Sequence, residues 1–369
     1  MAPLWATQPF KGIYTLLFGV KTALSLPIIS FSYIFKSFRP VSGWNYRLCF
    51  GVALIRVVFR YYTAIRYQHP RQLKAGKSGD RFALIPPPDS TFFSGALVSK
   101  DIEPAPVGAI WHPAPVRKDQ GRGQKVVIQF AGGAFVLGWE PNGMAKSVYD
   151  TISPHFKTAK ILYTQYRLAG SGTHFPAPLQ DALTAYNYVL GLGVAPEDII
   201  LCGDSAGGNI VLGLLRYLAA FPEKLPSPGN AMIWSPWVHI TRQAGKDFMD
   251  SQNSDVDFLY APTLDWGVEE YIPKGDLTPE AQGLISPLHQ PFKTATRIFI
   301  QAGEVEGFRS AIFEFAEEMT SVKGNQIKYH ESKLAPHDIL LSNFILRMDA
   351  QVDASLKEAR AFFEGEVLG

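Results

Sequence analysis

The chain has 369 residues, 47% of them apolar and 18% charged, and its 27 prolines and 32 glycines follow no period, which excludes a disordered or collagen-like chain and suits one large domain with an appendage. Lys and Arg number 35 against 33 Asp and Glu, and a net charge of +2 gives no electrostatic case for a nucleic-acid partner. Two cysteines, Cys49 and Cys202, make no disulfide framework and point to a reducing compartment; the eight histidines include no HExxH pair, so neither a metal nor a cofactor is expected.

In chain order, residues 12–35 (GIYTLLFGVKTALSLPIISFSYIF) are almost wholly apolar, interrupted mainly by Lys21 and Pro27. The length suits a bilayer span, but a central lysine costs about 2.5–3.5 kcal/mol on insertion scales and Pro27 kinks the helix. A span, an interfacial or re-entrant anchor, and lid helices over an active site all remain open. The flanks do not resemble a secretory signal, so an intracellular protein is expected, either cytoplasmic or on a membrane such as that of the endoplasmic reticulum. Residues 46–67 form a second apolar helix in which Arg47, Arg56, Arg60 and Arg66 recur at near-helical spacing. That stripe is either a solvated face or a complement to anionic headgroups, where each arginine contributes about 1 kcal/mol.

Residues 70–124 are rich in Pro, Gly and charge and read as a connection with short strands. From Lys125 the rhythm changes: strands are expected at 125–130, 160–165, 199–202, 231–234, 297–301 and 326–331, with helical patterns between most of them. Continuous apolar strands between helices imply a mostly parallel sheet covered on both faces, with ligands beyond the carboxyl ends of its strands. The expected organisation is an apolar helical lid or anchor at 1–70 and a catalytic domain at 71–369, with a lid insertion near 237–285.

Three sequences fall at strand ends. Gly203-Asp204-Ser205-Ala206-Gly207 is a G-x-S-x-G between a strand and a helical stretch, the context in which a tight turn exposes a nucleophilic serine. Ala131-Gly132-Gly133-Ala134 follows the strand at 125–130, where N–H groups of Gly132 and Gly133, with that of Ala206, could bind an oxyanion, each donor contributing about 3–4 kcal/mol. Ala335-Pro336-His337-Asp338 follows the strand at 326–331 and offers His337 as general base. His330 lies inside that strand pattern and reads as a structural histidine.

Together GDSAGGN at 203–209, the Gly-Gly loop, Tyr166-Arg167-Leu168-Ala169 and Phe175-Pro176-Ala177 resemble the hormone-sensitive-lipase family of α/β hydrolases over about residues 110–365. The resemblance implies an α/β-hydrolase fold and the chain order serine, acid, histidine. It aligns Glu306 with the family's Asp-Pro-Leu-Arg aspartate, and Glu304 is the alternative acid. Two departures stand out: the family's His-Gly-Gly-Gly is Ala131-Gly132-Gly133-Ala134 here, and its Ala-Pro-Glu is Ala169-Gly170-Ser171, which removes a loop-securing carboxylate. The expected activity is hydrolysis of a lipophilic ester, an acetyl ester among the candidates, as in fungal-type members acting on sterols or secondary metabolites. Acyl transfer, cyclisation in the same pocket and a catalytically idle binding protein are the alternatives. The expected partners are a small apolar ester and, through residues 12–35, a membrane.

Overall fold

The computed structural model describes residues 3–118, 120–157 and 159–366. Two long helices come first, α1 (Phe10–Ser32) and α2 (Tyr46–Ala64), followed by strands β1 (Phe82–Ile85), β2 (Val107–His112) and β3 (Val126–Phe130). Then α3 (Pro141–Ile152), β4 (Lys160–Gln165), α4 (Ala177–Gly191), β5 (Ile199–Asp204), α5 (Ala206–Ala220) and β6 (Asn230–Trp234) alternate. Three helices separate β6 from the next strand: α6 (Ala244–Met249), α7 (Ala261–Tyr271) and α8 (Pro279–Ile285). The chain closes with β7 (Arg297–Gly303), α9 (Arg309–Ser321), β8 (Gln326–Ser332), α10 (Ile339–Leu346) and α11 (Asp349–Glu364).

The eight strands form one sheet in the order β1-β2-β4-β3-β5-β6-β7-β8, antiparallel at β1-β2 and β2-β4 and parallel from β4 onward. β3 and β5 are buried along their whole length, which is why their sequences run apolar without alternation. From β3 the chain crosses to β4 on one side and then back to β5 on the other, so the strand order reverses at β3. The crevice at such a reversal lies beyond the carboxyl ends of the strands. The segment at 70–124, read from sequence as a connection with short strands, supplies the two antiparallel strands β1 and β2.

The stretch expected as one unit at 1–70 divides in two. α2 is built into the body: the Asn45 side chain caps it by accepting from Leu48 N at 2.9 Å, and Leu48, Val52, Ile55 and Phe59 are buried. Gly51 lets α2 approach α10, since a Cβ there would lie 3.2 Å from Ile345 and Leu346 side-chain atoms. α1 has no buried residue and leans antiparallel along α2, with side-chain hydrogen bonds Thr15–Tyr61 and Ser30–Tyr46 near its two ends.

Most of the arginine stripe makes contacts with the insertion between β6 and β7. Arg56 donates to the carbonyls of Asp255 and Asp257, Arg60 sits over the Tyr260 ring, and Arg66 pairs with Glu269 at 3.3 Å and stacks over Trp266. Three of the four arginines therefore contact the insertion, Arg56 and Arg66 from partly buried positions and Arg60 from an exposed one, while Arg47 is exposed. Cys49 and Cys202 are buried and free.

Candidate active site

At the end of β5 the backbone turns through Ser205 with φ 50° and ψ −119°, a region L-residues seldom occupy, and α5 begins at the next residue. Small residues permit the turn: a Cβ at Gly207 would sit 1.9 Å from the Phe130 carbonyl oxygen, and one at Gly203 would meet the Gly207 carbonyl at 2.4 Å. Ser205 N donates to Trp234 O at 2.9 Å, Trp237 N donates to Ser205 O at 3.0 Å, and the Asn209 amide donates to the Trp237 and Ile285 carbonyls. The strained serine is thus held between β6 and the helix it caps.

The loops after β7 and β8 bring Glu306 and His337 together. Glu306 Oε2 lies 3.4 Å from His337 Nδ1, and the two side chains are essentially sealed from solvent. Neither imidazole nitrogen and neither Glu306 oxygen completes a hydrogen bond here. Burial pushes the Glu306 carboxyl up to about 8. Burial also lowers the His337 pKa, against the opposing pull of Asp257 and Asp338. Phe258 and Phe308 stand edge-on to the ring at 5.7 and 5.3 Å. Glu304 lies elsewhere: its Oε2 accepts from Leu334 N at 2.7 Å. His330 pairs with Glu358 on α11.

The glycine loop differs from expectation in one donor. Gly132 N donates to Asp204 Oδ2 at 2.6 Å, so it is engaged in holding the loop and is not available to an oxyanion. The N–H groups of Gly133, Ala134 and Ala206 make no hydrogen bond among the described residues, and all three residues are buried. The missing family histidine and carboxylate have substitutes. Tyr166 OH donates to Ala131 O at 2.7 Å, Trp139 Nε1 to Gly132 O at 2.9 Å and Gln68 Nε2 to Ala169 O at 2.6 Å. Arg167 is paired with the buried Asp181 at 2.8 Å, which anchors the Tyr166–Ala169 loop.

Asp204 and Asp338 hydrogen-bond to each other, and burial together with the Asp338 charge raises Asp204 well above the carboxylate range. Sequence reasoning passed over Asp338 and Asp257. Asp338 also caps α10 by accepting from Leu341 N at 3.1 Å, but its Asp204 partner and the Gly307 and His337 N–H partners of Asp257 come from distant loops and leave no local pattern.

Ser205, His337, Gly132, Gly133 and Ala134 line one cavity of about 230 Å³. Its remaining wall is largely apolar, from Ile55, Val58 and Phe59 of α2, Phe258, Leu259, Leu264 and the α10 residues Leu341, Phe344 and Ile345. Among the described residues, one group has ligand atoms close enough to hold a metal ion, His289, Glu314 and Glu318, and it does not line this cavity.

The chain is 27% identical over 189 residues to an esterase of Acinetobacter venetianus, covering 51% of this chain and 59% of the relative. It is 27% identical over 202 residues to an acetyl-hydrolase of Streptomyces hygroscopicus (52% and 59%), and 24% identical over 129 residues to steryl acetyl hydrolase 1 of Saccharomyces cerevisiae (34% and 30%). It therefore spans about three fifths or less of the length of these relatives. An esterase of the bacterial hormone-sensitive lipase family shares the fold with TM-score 0.61 and 20% identity over 86% of this chain and 99% of that one. A Pyrobaculum calidifontis esterase does so with TM-score 0.58 and 18% identity, over 85% and 92%. With residues 127–341 matching the alpha/beta hydrolase fold family across the elbow, the glycine loop and the histidine loop, the chain belongs to that family.

Proposed function

We propose that the protein is a serine hydrolase that cleaves a carboxylic ester of a lipophilic small molecule. The observation that carries this reading is the convergence of a strained, helix-capping Ser205 and a sealed Glu306–His337 pair on one apolar cavity. Ser205 Oγ attacks the ester carbonyl while His337 takes its proton, and the N–H groups of Gly133, Ala134 and Ala206 receive the oxyanion. His337 then protonates the leaving alcohol, and water resolves the acyl-enzyme by the same route reversed. Glu306 orients the imidazole and stabilises its charged form. The apolar wall built by α2 and α10 favours a bulky hydrocarbon on one side of the ester. The acetyl-hydrolase and steryl acetyl hydrolase relatives support a small acyl group opposite a large alcohol. Labelling by a fluorophosphonate probe tests the reading: a folded wild-type protein that does not label would defeat it.

We also infer that α1 rests on a lipid surface. It is apolar and long enough to cross a membrane, but bound lengthwise to α2 it lies along the body. Leu16, Leu24, Ile28 and Phe31 are each more than 60% exposed on the side away from α2. Lys21, Lys36 and Arg47 are exposed, and residues 1–79 hold no Asp or Glu, a complement to anionic headgroups. Deleting residues 1–40 is expected to move the protein from the vesicle-bound to the free fraction, measured by flotation with phosphatidylserine-containing vesicles. Turnover of a small soluble ester is expected to stay within about threefold, because α1 contributes nothing to the cavity wall. Unchanged flotation of the truncated protein would remove the lipid role.

A further inference from the structure

The chain between α6 and α7 carries two side chains whose hydrogen bonds go to the loops of the candidate site. Asn253 Nδ2 donates to the carbonyls of Glu304 and Glu306, at 3.2 and 3.1 Å. Asp257, fully buried, accepts from Gly307 N through Oδ2 at 2.7 Å and from His337 N through Oδ1 at 3.2 Å, and Oδ1 also takes Phe258 N at 2.7 Å. One carboxylate thus joins the peptide that follows Glu306 to the peptide of His337. A buried carboxyl is costly unless hydrogen-bonded, and here three backbone donors offset that cost.

The segment is fastened from outside the catalytic core. Arg56 of α2 donates through Nε to Asp257 O at 2.8 Å, and its guanidinium also reaches Asp255 O. Arg56 is itself partly buried, and burial lowers its pKa against the opposing Asp257 charge. Phe258, the next residue, both lines the cavity and stands against the His337 ring. The helix that walls the cavity and the loops that carry the acid and the base therefore meet at one residue.

We propose that Asp257 is a positioning residue that sets Glu306 and His337 in register, and that Arg56 latches it, so that the seating of α2 over the cavity and the alignment of the imidazole form one mechanical unit. This rests on the serine-hydrolase reading above. It assigns the N-terminal helix α2 a share in catalysis beyond covering the pocket.

The test uses the full-length protein and compares wild type, Ser205→Ala, Asp257→Asn, Arg56→Gln and Arg56→Lys. The readouts are the fluorophosphonate labelling rate and kcat and KM for p-nitrophenyl butyrate. Asparagine keeps one acceptor oxygen but sets an NH2 against a backbone donor, so kcat and labelling are expected to fall about 30- to 300-fold with KM within about threefold. Arg56→Gln is expected to lose about tenfold in kcat, and Arg56→Lys, which can still donate to one carbonyl, to recover part of it. A structural role alone would lower the yield of folded protein without separating kcat from KM. A folded Asp257→Asn that labels and turns over within about threefold of wild type overturns the proposal. If Asp257→Asn does not fold, Arg56→Gln decides, and an unchanged kcat there overturns it equally. Absence of labelling in wild type would instead be a failure of the serine-hydrolase reading, seen before any Asp257 variant is measured.

Discussion

Ser205→Ala and His337→Ala are expected to abolish ester cleavage, each by more than about 10³-fold in kcat, while leaving the fold intact. The serine variant removes the one hydroxyl placed on the strained turn at the end of β5 and leaves the backbone of the turn unchanged, so its thermal stability should stay close to that of wild type. The histidine variant leaves the hydroxyl but takes away the base that lines the same cavity. The two losses should not add, because nucleophile and base act as a unit. Kinetics on p-nitrophenyl esters with the single and double variants, backed by circular dichroism, check this. Near-normal turnover in purified Ser205→Ala would sink the mechanism.

Glu306→Gln is expected to cost about 10²- to 10⁴-fold in kcat, and Glu304→Gln less than about threefold. Glu306 is the carboxylate 3.4 Å from His337 Nδ1, whereas Glu304 accepts a backbone N–H from Leu334, a bond glutamine can retain through its oxygen. The opposite ranking would move the acid to Glu304 and leave the serine and histidine roles standing. A pH dependence accompanies this. With Glu306 held up to about 8 by burial, and His337 lowered and so already neutral, the acid limb of kcat/KM should rise toward pH 8 as the carboxylate ionises.

Stability should run the other way. The unfolded chain ionises Glu306 from its ordinary value of 4.5, while the folded protein keeps the proton to about 8, so the folded state loses stability as pH climbs through that window. Glu306→Gln cannot ionise and should gain in Tm relative to wild type, by an amount that grows between pH 5 and 8. Melting curves of the two proteins at several pH values measure it. A Tm difference independent of pH would show that the buried carboxyl is already ionised.

The family resemblance supplied the acid at Glu306; the residues by themselves determined the α/β alternation from Lys125 onward, the elbow at Ser205, and the glycine and histidine loops. Each of these is written locally, as an apolar run ending in Gly-x-Ser-x-Gly, Gly-Gly or Pro-His, and tight turns and fully buried parallel strands constrain residue type over a few consecutive positions. Short strands were expected within 70–124, but the bounds and antiparallel pairing of β1 and β2 lacked such a signal, because they lie in a Pro- and Gly-rich stretch.

Only the tertiary structure decided what depends on partners far apart in sequence. It engaged the Gly132 N–H, expected as an oxyanion donor, with Asp204, and it set Arg56, Arg60 and Arg66 against the insertion between β6 and β7. It also separated α1, with no buried residue, from α2, which walls the cavity, although both read as apolar helices. Hydrophobicity says that a face will leave water, but not which surface will cover it. A buried carboxylate such as Asp257 says only that donors must exist, and the fold supplies them from loops 50 and 80 residues away.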